Sequence, residues 1–171
     1  MRARSFPPLA QSGARVLILG SMPGQASLAA GQYYAHPRNA FWTIMGALVD
    51  AGPELPYPRR VERLQAAGIA VWDVLAECER PGSLDADIVA ASVQANDFAG
   101  LLAGLPALRA IAFNGSAAEQ AFRRHVLPGS PGLGATLLRL PSTSPAHAAR
   151  SLAEKLAAWQ GLLAYLREET V

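Results

Sequence analysis

A three-layer α/β/α sandwich around a central, mainly parallel four-stranded sheet is the fold class this sequence predicts, and three features predict it. Apolar runs of strand length recur at Arg15–Leu19, Ile69–Leu75, Ala110–Phe113 and Thr136–Leu140, each short and nearly unbroken, as strands buried on both faces are. Segments with helical spacing lie between them, and strands alternating with helices imply parallel strands joined by crossovers that cover both faces. Finally, the loops GSMPG, FNG and LPSTSP each follow such a run. Loops at the carboxyl ends of parallel strands are where open sheets place their ligands.

The elements follow in order. Residues 1–14 read as an irregular arm of a single domain spanning 1–171. After the first strand, Gly20, Pro23 and Gly24 break the chain, which stays irregular until a helix starts near Asn39. That helix runs from Ala40 to about Asp50, with Phe41, Met45, Leu48 and Val49 as its buried stripe. Gly52-Pro53 and Pro56-Tyr57-Pro58 end it. A short helix, Arg59–Ala67, turns Val61 and Leu64 inward and stops at Gly68. After the second strand, Glu77–Ser92 reads as irregular, and Asn96–Leu105 as a helix ended by Pro106. Ser116 and Glu119 have capping-box spacing for the next helix, which turns Ala117, Ala121 and Phe122 inward. The last helix takes Ser144 as cap and Pro145 in its first turn. Its stripe of Leu152, Leu156, Trp159, Leu163 and Leu166 reads as core packing. There is no internal repeat and no low-complexity tract.

Composition narrows the chemistry. A chain of 171 residues that is 51% hydrophobic is long enough to bury a sizeable core. No apolar run approaches the roughly 20 residues of a membrane span, and MRARSFPPLAQSGAR has no apolar centre after its charges. The expectation is a cytoplasmic protein with no membrane partner. Cys78 is the one cysteine, which excludes an internal disulfide. Three scattered histidines lack zinc spacing, so the expectation is chemistry without a metal. The net charge of +2 leans only mildly toward anionic partners. Clusters at Arg59, Arg60, Arg63 and at Arg123, Arg124, His125 fit solvated helix faces as well as any binding patch.

The loop after the first strand concentrates polar and aromatic groups: GSMPG at Gly20, then QYYAHPRNAFW from Gln32. With FNG at Phe113 and LPSTSPAHA from Leu140, these segments resemble the uracil-DNA glycosylase superfamily, most closely its family 6 hypoxanthine-DNA glycosylases. The resemblance covers nearly the whole chain in order. HPRNAFW after a G-x-x-P-G loop is its specific part; LPSTSP alone would be weak. It implies a uracil-DNA glycosylase-like fold and excision of deaminated bases from DNA in base excision repair, hypoxanthine (deoxyinosine) preferred, without a metal; a monomer with no cofactor is the accompanying expectation.

Such chemistry needs an extruded base, a wall to stack it, a group to read its edge, a group to position water, and phosphate donors. Tyr34 can be the wall; Tyr33 is either a second wall or core filler. Asn114 has an amide that suits the lactam edge of hypoxanthine or uracil. Turned over it suits adenine, so it discriminates only if neighbours lock it, and it could instead be a turn residue before Gly115. In related glycosylases a polar residue in the third position of the first loop positions the water; here that position is Met22. The family-6 resemblance moves the task to Asn39, acting electrostatically, although Asn39 is also a natural helix cap. His36 is either a catalytic donor to the base or phosphate, or a brace beside Pro37.

Gly20, Ser21 and Met22 would line the base slot, the glycine letting backbone approach closely. Ser142, Thr143 and Ser144 suit phosphate at a helix N-terminus, with Arg38 and His147 as further DNA contacts. The wider superfamily often has a catalytic histidine just before that Pro-Ser; this chain has Leu140. Asp73, within a buried strand, is expected to pair with an arginine or with backbone donors. No lysine stands in the proposed site, Lys155 lying on the last helix, so a Schiff-base mechanism is not expected. The same loops also fit a uracil-DNA glycosylase, or a nucleic-acid or nucleotide-binding domain without catalysis. A serine hydrolase on Ser142 or Ser144 lacks the G-x-S-x-G elbow.

Overall fold

In the computed structural model, which describes residues 2–167, the segment expected to be an irregular arm opens on a short strand, while residues 5–14 are irregular apart from one bridge at Leu9. Strand β1 (Arg2–Arg4) pairs antiparallel with a later strand, placing Arg2 opposite Glu79 and Arg4 opposite Glu77. Cross-strand charge holds it, Arg2 Nε lying 2.8 Å and Arg4 Nε 3.1 Å from the Glu77 carboxylate. Such pairing leaves no apolar alternation to be read in sequence.

The central strand β2 (Val16–Gly20) is buried along its whole length. The expected irregular loop after it contains a short helix, α1 (Gln25–Ala30), before α2 (Phe41–Val49) and α3 (Tyr57–Ala66). What reads as one second strand divides at Val74 into β3 (Ile69–Asp73) and β4 (Leu75–Glu79), which belong to different sheets. The segment after β4 is two short 3-10 turns and the two-residue strand β5 (Gln94–Ala95). Then follow α4 (Phe98–Ala103), β6 (Ala110–Asn114), α5 (Ser116–His125) and β7 (Thr136–Leu140). The described residues close with α6 (Leu152–Trp159) and α7 (Leu163–Leu166).

The main sheet has the order β3-β2-β6-β7, with every pairing parallel. Leu9 adds one antiparallel bridge to Val71 on its edge. Alternate residues of β2 feed two cores. Leu17 and Leu19 pack with Phe98, Ala118 and Phe122 of α4 and α5. Val16 and Ile18 pack with Phe41, Ile44, Leu64 and Trp159 of α2, α3 and α6. The predicted three layers are therefore present. The smaller sheet, β1-β4-β5, closes the α4–α5 side.

Helix starts differ from expectation for local reasons. Ser116 does not cap α5: Gly115 occupies the cap with φ 93°, and Glu119 turns into an ion pair with Arg139 and with Arg123 at 3.3 Å. Ala118, not Ala117, is the buried alanine of that helix. The last long helix starts at Leu152 and not at Ser144, because Ser151 and Glu154 form a complete capping box. Leu152 consequently stands 50% exposed, outside the core stripe assigned to it, and Leu162 is buried instead.

Candidate active site

All four main-sheet strands end at one edge. β2 delivers Gly20 opposite Asp73 of β3, and β6 delivers Asn114 opposite Leu140 of β7. Over that edge lies a cleft of about 320 Å³, at the small end of ligand pockets, which span about 300–1,000 Å³. Gly20, Ser21, Met22, Tyr34, His36, Asn39, Asn114, Ser142, Thr143 and Ser144 all line it, so ten of the sequence-predicted residues converge there. His147 lines an adjoining groove instead. Arg38 is exposed and lines neither.

The two tyrosines divide their tasks. Tyr33 is buried: its hydroxyl donates to the Pro7 carbonyl at 2.9 Å, its N–H to the Tyr57 hydroxyl at 3.1 Å, and its ring meets Phe6 edge-on. It braces the loop. Tyr34 stacks on Phe41 with centroids 4.1 Å apart and holds φ at 53°. A bulky residue rarely adopts that left-handed backbone, which costs about 1–3 kcal/mol and clusters at functional sites. Burial raises both phenol pKa values, and the neighbouring Asp73 carboxyl raises them further. The Tyr34 hydroxyl is buried and approaches Asn114 without a hydrogen bond of good geometry.

Asn114 is locked. The Thr143 backbone N–H donates to Asn114 Oδ1 at 2.9 Å, and Asn114 Nδ2 donates to Thr143 Oγ1 at 3.0 Å. A backbone N–H can only donate, so the two ends of the amide are assigned and cannot exchange. One N–H and one oxygen lone pair remain. Thr143 is itself buried, and its carbonyl accepts from the Ala40 N–H at 3.0 Å. Its position is thus that of a brace for Asn114, away from the phosphate contact expected of it.

Asn39 lines the cleft but is not the cap of α2, which starts one residue later than expected with Ala40 at the cap; its Oδ1 instead accepts from the Phe41 N–H at 3.0 Å, tying the loop to the first helical residue. That bond fixes the amide while leaving Nδ2 uncommitted. His36 Nδ1 accepts from the Arg38 N–H at 3.1 Å, so a neutral ring carries its proton on Nε2, as a donor.

The helix N-terminus expected behind Ser142–Ser144 is absent, since α6 begins later. Their hydroxyls instead shape tight turns, Ser142 Oγ accepting from the Ser144 N–H and Ser144 Oγ from the Ala146 N–H, both at 3.2 Å. Lys155 Nζ donates to the Ser144 carbonyl at 3.4 Å from outside the cleft. Beyond this loop a wider groove of about 600 Å³ continues the cleft, with Arg139, His147 and Arg150 on its wall.

Sequence reasoning missed the segment across the mouth and misjudged Asp73. Ser83 and Asp85 line the cleft, the Ser83 hydroxyl accepting from the Gln25 N–H at 2.9 Å and Ser21 Oγ donating to Asp85. Asp73 is not paired with an arginine. Its Oδ2 is buried without a hydrogen-bond partner, while Arg80, the nearby guanidinium, donates through Nη2 to the Pro23 carbonyl. Burial pushes the Asp73 carboxyl up to about 7, with the Asp85 carboxylate adding to the rise and Arg80 opposing it. An Asp at the end of an otherwise apolar strand was the available signal. Among the described residues no cluster of three or more His, Cys, Asp or Glu suits a metal ion, and no helix is long and apolar enough to cross a membrane.

A parallel sheet whose carboxyl edge gathers these loops matches a known family. The sequence pattern of the Uracil DNA glycosylase superfamily matches residues 7–166, and the chain belongs to that superfamily. It is 35% identical over 148 residues to a hypoxanthine DNA glycosylase of Methanosarcina acetivorans, covering 86% of this chain and 89% of that one. A hypoxanthine DNA glycosylase of Methanosarcina barkeri is 35% identical over 116 residues, 67% of this chain and 72% of the other. The solution NMR structure of a Methanosarcina acetivorans protein described as a uracil DNA glycosylase superposes with TM-score 0.76 at 33% identity, covering 95% of this chain and 99% of that one.

Proposed function

We propose that this chain is a monofunctional DNA glycosylase that hydrolyses the N-glycosidic bond of deaminated bases in DNA, with deoxyinosine its preferred substrate. The observation that carries this reading is the pair of fixed amides in one cleft. Asn114 is locked by Thr143 with one donor and one acceptor left, the complement of a lactam N–H and C=O. Asn39 is held by its bond to the Phe41 N–H and lines the same space.

An extruded base enters beside Gly20, over which Asp73 and the Tyr34 hydroxyl close, and meets the Tyr34 wall, backed by Phe41. Asn114 accepts from the base N1–H and donates to O6. As the glycosidic bond opens, the sugar becomes oxocarbenium-like, and the Asn39 amide orients a water toward C1′ without acting as a base. His36 Nε2–H donates to the base or to a phosphate. Ser142, Ser144 and Arg38 serve the DNA backbone. Lys155, the one lysine of the chain, is turned to the Ser144 carbonyl, which supports simple hydrolysis over an imine intermediate.

The lactam of uracil presents the same donor and acceptor, so the test compares both lesions. End-labelled duplexes carrying one deoxyinosine or one deoxyuridine are incubated with the protein, treated with alkali and resolved on a gel. Cleavage after alkali alone, faster for deoxyinosine, is the expected result. Faster release of uracil would reassign the preference, and no release from either would leave a binding domain without catalysis.

A further inference from the structure

Hydrolysis of a purine nucleoside leaves one task that neither asparagine performs: negative charge grows on the departing base, and a proton must meet it. The strand order supplies a candidate. Asp73, Gly20 and Asn114 end three adjacent strands, and neighbouring strands lie about 4.8 Å apart. Asp73 and Asn114 therefore flank a floor made by Gly20. A Cβ there would meet Asp73 Oδ1 at 2.5 Å and the Tyr34 hydroxyl at 3.0 Å, so both groups close directly over it. Asp73 lines the cleft, and its Oδ2 is buried with no partner. Leaving such an oxygen unpaired is costly unless a ligand completes it.

On the glycosylase reading above, we propose that Asp73, as its neutral acid, hydrogen-bonds a ring nitrogen of the purine, N7 or N3, and gives that nitrogen its proton as the base leaves. The C1′–N9 electron pair passes to the base and the carboxylic proton moves to the ring nitrogen, leaving a carboxylate. Water adds to C1′, and the proton it sheds restores the acid. The charged and titratable groups around Asp73 are Asp85, Arg80, Tyr33 and Tyr34, with His36 across the same cleft. Burial and Asp85 favour the acid, and Arg80 opposes it without an ion pair.

Single-turnover rates for wild type and Asp73→Asn test this across pH 5–9, on deoxyinosine, 7-deazadeoxyinosine and 3-deazadeoxyinosine duplexes. The amide keeps a donor but transfers no proton. The wild-type rate should fall as pH rises past about 7, and Asp73→Asn should be about 100-fold slower at pH 6, in the range for a lost general acid, without that alkaline fall. Affinity for a duplex carrying uncleavable 2′-fluorodeoxyinosine should change less than about threefold. One of the two deaza substrates should slow the wild type toward the variant's rate and slow the variant little further. Equal rates and pH profiles for the two proteins, or the same Asp73→Asn penalty on all three substrates, overturn the proposal while leaving the glycosylase reading intact. A wild type inactive on deoxyinosine overturns both. Should Asp73→Asn not fold, wild-type rates equal on all three substrates overturn the proposal, and selective slowing on one deaza substrate supports it.

Discussion

The water-positioning role proposed for Asn39 and its bond to the Phe41 N–H separate by substitution. Asn39→Ala removes the bond to the Phe41 N–H, which costs about 1 kcal/mol and about 2–4 °C in Tm for a chain of this size. Excision should fall at least about a hundredfold, the scale for one preorganised polar group. Asn39→Ser restores an oxygen that can accept from the Phe41 N–H, so its Tm should return toward wild type while excision stays lost. A serine variant that recovers both Tm and rate would make Asn39 a brace for the start of α2 alone. Calorimetry and the alkali gel read the two outcomes. Asp73 carries an opposite signature in stability. Its carboxyl is near 3.8 when unfolded and pushed up to about 7 when folded, so the fold binds its proton more tightly. The neutral acid is accommodated fully below about pH 4; that stability is lost as pH rises through about 7 and stays lost above it. The loss is at most about 4 kcal/mol. Asp73→Asn should therefore melt several degrees above wild type at pH 8 and close to it at pH 4.5, in paired thermal scans. A Tm gap that does not widen with pH would show that the buried carboxyl carries no such burden.

At the level of elements, what periodicity and strand-length apolar runs encode was legible, and what side-chain pairing decides was not. β2, β6 and β7 read directly from their apolar runs, as did the helix carrying Phe41 and Met45. The turn at Val74 was hidden because Leu75 continues the apolar run, while its backbone leaves the main sheet to pair in the small one. Arg2–Arg4 was invisible because salt links to β4 and not an apolar face define it. The start of α6 was a choice between two signals. Ser144-Pro145 has the composition of a helix start, but Ser151 and Glu154 satisfy each other's backbone donors, at 3.2 Å in both directions, and that closed pair prevails. Ser151→Ala should cost about 1 kcal/mol and lower Tm by about 2–4 °C with excision unchanged, as judged by melting and by the gel assay. A parallel loss of excision would mean that α6 itself positions the Ser142–Ser144 loop.

At the scale of the whole molecule, the site is a consequence of strand order. Asp73, Gly20 and Asn114 are far apart along the chain and adjacent in the sheet, and only the order β3-β2-β6-β7 sets a carboxyl and an amide on opposite sides of one glycine. Loop chemistry let ten of the lining residues be named from sequence. The partnerships of Thr143 with Asn114, and the isolation of Asp73, depend on neighbours in space and could not be. The same arrangement directs where a duplex lies. The cleft opens past Ser142 and Ser144 into the groove bearing Arg139, His147 and Arg150. Arg139 is already neutralised by Glu119, whereas Arg150 makes no ion pair among the described residues. If one DNA strand follows this groove, Arg150 supplies a phosphate contact and releases a counterion on binding. Arg150→Ala should then weaken binding to damaged and undamaged duplexes alike, and should reduce the slope of log K against log salt by about one. Excision at saturating protein should be unaffected. Fluorescence anisotropy between 50 and 200 mM salt measures the slope, and a slope equal to wild type would move the strand to another face.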